Sequence, residues 1–177
     1  MAEPVIRPLS ADEPTLAALC ALIIETVAGG GSVSFMHPLA PEAARAFWVS
    51  ALKAAARDER VVLGAFVDGA LVATVSLLVD FPQNQPHRSE IAKMMTRVAF
   101  RGRGIGSRLI AEAERMAAER GKTLICLDTA SEEGASGFYE KNGYVYAGEI
   151  PDYALRPMGG LTATRLYWKR LSEAACQ

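Results

Sequence analysis

The chain is poor in the residues that most often announce a chemistry. Its 177 residues include three cysteines and two histidines. Cys20, Cys126 and Cys176 stand far apart with no CxxC pair, which fits passive thiols in a reducing compartment. His37 and His87 have no cysteine near them, so no zinc site is expected, and both read as surface residues. An excess of charge is missing too. The 19 lysines and arginines face 20 aspartates and glutamates, for a formal net charge of -1. Overall charge therefore favours neither nucleic acid nor a membrane surface as partner. No uncharged apolar run approaches the ~20 residues of a membrane span, and "MAEPVIRPLS" lacks the basic and apolar regions of a signal peptide. A cytoplasmic location is expected. Aromatics are scarce at 7%, so Trp48 and Trp168 are assigned to the core or to a dimer face.

Half of the residues are hydrophobic, enough for one packed domain spanning 1–177. "VIRPL" reads as a first strand. Leu16, Leu19, Ile23 and Val27 recur at helical steps from Thr15, behind Asp12 and Glu13, until "GGGS" stops the helix. Pro41 suits the first turn of a second helix carrying Phe47, Val49, Leu52 and Ala55. Two β-branched runs flank Asp68-Gly69, the pair that favours a type I′ hairpin turn. "EIAKMMTRVAF" reads as a strand through Phe100, with Ile91 and Met94 inward. A strongly amphipathic helix follows from Gly104 to Arg120. Its inner face is Ile105, Leu109, Ala113 and Met116, its outer face Arg108, Glu112, Arg115 and Glu119, and Gly121 stops it. "TLICLDT" is a buried strand, "GASGFYEKNG" a short helix, and "YVYAGEI" and "TATRLYWKRL" two closing strands separated by the loop "PDYALRPMGG". The strand-helix-strand unit around Gly104 implies a locally parallel pair.

"FRGRGIGSRLI" carries glycines and arginines just ahead of that helix. It is not a P-loop, which needs GxxxxGK[ST], nor a dinucleotide fingerprint, since the third position of G-x-G-x-x-G falls on Ser107. Glycines let a ligand approach main-chain N–H groups, and a helix start adds unpaired donors and the positive end of its dipole. Read alone, the stretch fits either a pyrophosphate cradle or a glycine-rich turn with solvated arginines.

"RGRGIG" resembles the coenzyme A pyrophosphate loop of the GNAT acetyltransferase superfamily, [QR]-x-x-G-x-[GA]. A second signature of that family, A-x-x-x-Y-x-x-x-G-[FY], is matched by Ala135, Tyr139, Gly143 and Tyr144. "ETVAGGGSVSFM", "EIAKMM", "LDT" and "GEIPDYAL", within Glu25 to Lys169, are further similar to the tabtoxin-resistance branch, which acetylates the amino-acid-like toxin tabtoxinine-β-lactam. The resemblance implies an α/β (α+β) GNAT fold: a twisted mixed sheet with flanking helices, whose two central parallel strands, one ending near Thr96 and the other at Thr129, splay apart. It implies acetyl-CoA as cosubstrate. Arg101, Gly102, Arg103, Gly104, Ile105, Gly106 and Ser107 would hold its pyrophosphate, and the backbone of Met94, Met95 and Thr96 would pair with its pantetheine arm. Tyr139 would protonate the leaving thiolate, and an N–H near Met95 would polarise the thioester carbonyl. Many members carry Asn where this chain has Glu132, and the common proline before the loop is absent from Val98-Ala99-Phe100.

Transfer to an amine also needs a base, because an ammonium must lose its proton before it attacks. Glu90 opens the central strand and Asp128 ends an otherwise apolar one, so both would face one pocket if the strands are neighbours; like charge would then raise one pKa. The resemblance implies action through water. The alternative is that Glu90 blunts the strand start and Asp128 caps the next segment. Acceptor contacts are expected from Ser32 and Ser34, and from Asp152, Tyr153 and Arg156. The partner expected is a small-molecule amine, with a homodimer as the assembly frequent in the family. A protein or peptide acceptor, or a non-catalytic CoA sensor, are the rival readings.

Overall fold

Asp68 and Gly69 both take positive φ, 49° and 79°, the geometry a type I′ turn demands. They join β2 (Arg60–Val67) to β3 (Ala70–Leu78), the first hairpin of the central sheet. The computed structural model describes residues 3–131 and 136–171. Glu132, Ala135 and Cys176, singled out above, lie outside them. Seven strands form one sheet in the order β1-β2-β3-β4-β5-β7-β6. The remaining strands are β1 (Val5–Pro8), β4 (Arg88–Thr96), β5 (Leu124–Ala130), β6 (Val145–Leu155) and β7 (Leu161–Arg170). Every neighbouring pair is antiparallel except β4 with β5. This is the mixed GNAT-type fold that the sequence led us to expect.

The helices cover both faces. On one lie α1 (Glu13–Ala28) and α2 (Pro41–Ala56), whose Leu19, Leu22, Ile23, Trp48 and Leu52 pack against Val62, Leu71 and Met95. Asp12 caps α1 by accepting from the Thr15 N–H at 2.9 Å, and Pro41 opens α2 where its missing N–H costs nothing. Trp48 is fully buried, so it belongs to the core and not to an exposed face. On the other face α3 (Ile105–Glu119) lays Ile105, Leu109, Ile110, Ala113 and Ala117 on Leu63, Val75, Ile91 and Ile125. Gly121, at φ 70°, ends it as expected. Arg115 pairs with Glu112 and Glu119 on its outer side, whereas Arg108 reaches Glu3 at 2.6 Å. Last comes α4 (Ser136–Lys141).

Two expectations need correction. The residue pattern alone read as strand through Phe100, but the strand ends at Thr96, as the family resemblance implied, and Val98–Phe100 form a 3-10 turn. Glu25 on α1 turns the chain there: its carboxylate accepts from the Arg97 guanidinium at 2.6 Å and from the Val98 N–H at 3.2 Å. Nor is "PDYALRPMGG" a loop throughout. β6 continues to Leu155, and Asp152 and Tyr153 lie in a register shift between Ile150 and Ala154. Asp152 takes φ 52° to accommodate the extra residues. Only Arg156 to Gly160 form a turn, closed by the Arg156 N–H donating to the Gly160 carbonyl at 2.9 Å.

Candidate active site

β4 and β5 begin as parallel neighbours and then separate. They pair at Arg88↔Leu124, Ser89↔Ile125 and Glu90↔Cys126, and no further. Beyond that point β4 stays with β3 as far as Thr96, and β5 stays with β7 as far as Ala130. Each strand thus turns one bare backbone edge towards a wedge between them. A cleft of about 800 Å³ fills this wedge, lined by Met94, Met95 and Thr96 on one side and Asp128, Thr129 and Ala130 on the other. Edge amides and carbonyls of this kind need partners from water or from a ligand of matching polarity.

The glycine loop closes one end of the cleft. Gly102 and Gly104 have φ of 72° and 74°, and a Cβ at either would meet nothing within 4 Å, so open space lies before their backbone. Both line the cleft with Arg101, Arg103, Ile105 and Ser107. The first intrahelical bond of α3 there runs from the Arg108 N–H to the Gly104 carbonyl at 3.2 Å, which leaves the N–H groups of Ile105, Gly106 and Ser107 aimed outward at the dipole's positive end. Gly106 has a different reason to be glycine. A Cβ there would meet Met94 Cε and the Phe138 ring at 3.1 Å. The side chain of Met94, read from the sequence as inward-facing, thus packs against the start of α3 as well as against the core. Arg101 donates to the Thr96 carbonyl at 3.2 Å, and Arg103 stacks over Phe100 at 4.9 Å. These residues suit a coenzyme A: a glycine cradle and helix mouth for a pyrophosphate, and two bare strand edges for an amide-bearing arm.

Glu90 sits at the closed end of the wedge, where strand pairing stops. Ile91, Ile125 and Leu127 face α3, so the alternation of strands puts Glu90 and Asp128 together on the opposite face. Burial raises the Glu90 pKa above the ordinary carboxylate range; Arg88, 3.5 Å away, opposes the shift and Asp128 adds to it. The upward push expected from like charge is thus present, with burial the larger cause. Asp128 lines the cleft and accepts from the Thr164 hydroxyl at 3.0 Å, whereas Glu90 is set back from the lining. Tyr139, on α4, is 7% exposed and lines the cleft among Phe138, Tyr144 and Tyr167. Of the expected acceptor contacts, Ser32, Ser34 and Tyr153 line the cleft; Asp152 does not, and the Arg156 side chain lies against Gly160.

Lys93 was not foreseen. Val75 on β3 faces two residues of β4, Lys93 and Met94, because the register shifts between Thr74 and Ser76. Lys93 takes φ 52° to form this bulge, a conformation that costs a non-glycine residue of order 1 kcal/mol or more. Its effect on alternation is plain: Ile91 packs under α3, but Met95 packs under α1 and α2. Lys93 is thrown into the cleft, where its Nζ donates to Ser34 Oγ at 2.8 Å. Burial pushes this ammonium below the usual lysine range, Asp128 and Glu90 partly restoring it and Arg60 adding to the fall. A lysine within the apolar run of "EIAKMM" was the one signal the sequence offered.

The model of the acetyltransferase (GNAT) family matches residues 30–144. The chain is similar to the ribosomal-protein-alanine N-acetyltransferase of Brucella melitensis, with a TM-score of 0.78 over 94% of this chain and 99% of that one, at 25% identity. A structure described as a candidate phosphinothricin N-acetyltransferase gives 0.78 over 96% and 100%, at 23% identity. The yncA protein of Salmonella typhimurium, solved with its cofactor acetyl-CoA, gives 0.77 over 99% and 98%, at 17% identity. A Gly104→Val change tests the cradle. Holding an L side chain in the left-handed region costs roughly 1–2 kcal/mol, so the loop would relax and its amides would lose their aim. Calorimetry should show the CoA dissociation constant rising about tenfold; an unchanged constant would place the pyrophosphate elsewhere. With the family model matching across most of the chain and the fold agreeing, the protein belongs to the GNAT acetyltransferase family, which draws its acetyl group from acetyl-CoA.

Proposed function

We propose that the protein transfers acetyl from acetyl-CoA to the primary amine of a small molecule, an amino-acid-like toxin or antibiotic such as tabtoxinine-β-lactam being the leading class. The observation that carries this reading is the wedge, with the glycine cradle at its mouth and Glu90 where the strands part. In this account Glu90, or Asp128 through a shared water, takes the proton of the acceptor ammonium. The freed amine attacks the thioester carbonyl, polarised by an N–H near Met95. As the C–N bond forms and the C–S bond breaks, Tyr139 gives its proton to the departing sulfur, and the second proton shed by the new amide nitrogen returns through water to the tyrosinate. Direct transfer, with no cysteine acyl-enzyme, is the course we expect; among the described residues neither Cys20 nor Cys126 lines the cleft.

A small acceptor is favoured over a protein or peptide chain by the cleft's far end. The segment 29–35 and the end of β6 line it from two sides, and the His37 N–H, donating to the Pro157 carbonyl at 2.9 Å, ties the two together. An extended chain would need that end open. The names of the similar proteins point both ways, since one acts on a ribosomal-protein alanine and another is named for phosphinothricin. A sensor would have no use for Tyr139 or the carboxylates. A homodimer is the assembly we expect, supported by the exposed Tyr146, Ile150, Tyr153 and Leu155 on the edge strand β6. Sedimentation should read the mass of two chains; a single-chain mass would contradict it.

Thiol release across a panel of amines, β-lactam amino acids included, tests the activity. Release with peptides alone would move the reading to the peptide alternative, and none at all would favour the sensor. For the productive acceptor, kcat/KM should rise with pH through a midpoint above the ordinary carboxylate range, because burial raises Glu90 and the base must be ionised. Glu90→Gln should lose that limb and about 10²-fold in rate. The same shift fixes the sign for stability: the fold prefers neutral Glu90, so native stability from this group falls as pH rises through its folded pKa. An unchanged limb in Glu90→Gln would remove Glu90 from the mechanism.

A further inference from the structure

The bulge in β4 spends backbone strain to deliver one ammonium group into an otherwise uncharged stretch of the cleft wall. Strain of this kind persists where the surroundings hold it in place, and it gathers at ligand sites. Three surroundings hold Lys93. Ser34 Oγ accepts from its Nζ at 2.8 Å, the Phe47 ring lies 5.8 Å beneath it, and β3 pins the strand on either side of the bulge. Ser34 itself sits at φ 70°, so both ends of this hydrogen bond come from left-handed residues. Among the described residues no carboxylate lies within 4.0 Å of Nζ. An ammonium has three donors, and the described residues use one. The others are left for whatever enters the cleft.

The rest of the pocket shows what that would be. Negative charge lies further along the same face, at Asp128 on the lining and Glu90 behind it. Phe35 and Tyr153 add apolar surface. The acceptor end thus has a cation at one side and carboxylates at the other, the complement of a zwitterion. A simple amine would satisfy the carboxylates and leave the half-buried ammonium idle. An amino acid would satisfy both, with its amine directed towards Asp128 and the thioester.

We propose that Lys93 binds the carboxylate of the acceptor, which makes the acceptor class free amino acids and not amines in general. This rests on the acyl-transfer reading of the same cleft and narrows it. Lys93 sets specificity here and takes no part in the proton transfers.

The test uses matched ligands: free L-α-amino acids with small apolar side chains against their carboxamides. Binding is measured by calorimetry on the CoA-saturated protein, which cannot turn over, and acetyl transfer is measured separately with acetyl-CoA. Native protein should bind the acids about 10- to 100-fold more tightly than the amides, the range expected for a hydrogen-bonded charge pair. Lys93→Met should erase that preference while keeping its CoA affinity, which also shows that it folds. Lys93→Arg should keep part of the preference. Equal binding of acids and amides by native protein, a preference that survives Lys93→Met, or no binding by any acid would each overturn the proposal. If the acids bind through Lys93 yet no acetyl moves, the acyl-transfer reading fails and the carboxylate site stands.

Discussion

β4 and β5 share hydrogen bonds at three residue pairs and then part, because each is held more firmly by its outer neighbour. β5 stays in register with β7 over all its seven residues, from Leu124↔Arg170 to Ala130↔Thr164, and β4 follows β3 to its end. The sheet cannot satisfy both inner edges as well. If those edges were buried dry, each unpaired group would cost about 1–3 kcal/mol. The fold avoids that cost by leaving the wedge open as a cleft. Left open, the edges can be met by water, or by a ligand that brings amides and carbonyls of its own.

The other features of the site are placed by that separation. The glycine loop begins where Glu25 turns the chain off β4, so the helix mouth of α3 falls at the open end of the wedge. Glu90 falls at the closed end, where burial keeps its proton on to higher pH. The bulge that shifts the register of β4 against β3 also lifts Lys93 off the sheet. The groups proposed here as cofactor cradle, proton acceptor and acceptor-side cation thus all come from one strand and the turn after it.

Much of this was legible in the residues. Asp68-Gly69 specifies a local turn geometry that long-range contacts need not enforce. The helix from Ile105 is marked by an apolar stripe and by Gly121, and the cradle by glycines that no hydrophobic pattern explains. What was not legible depends on contacts far apart in sequence. The end of β4 at Thr96 is set by a carboxylate on α1, and the register shift in β6 by its pairing with β7. Lys93 escaped for a further reason. Nothing in "EIAKMM" signals a lysine in the left-handed region, a conformation that only the pairing with β3 reveals. Gly106 shows a related limit: composition groups it with Gly102 and Gly104, yet packing against Met94 and Phe138 is what requires it.

The central claim is that the bare edges of β4 and β5 are themselves the binding surface. Amide hydrogen exchange, followed by mass spectrometry with and without saturating CoA, reads those edges directly. The account predicts that CoA slows exchange in peptides spanning residues 91–97 and 126–131, along with the loop 101–107, and leaves the β2–β3 hairpin unchanged. Protection confined to the glycine loop, with both strand edges exchanging as fast as before, would contradict it.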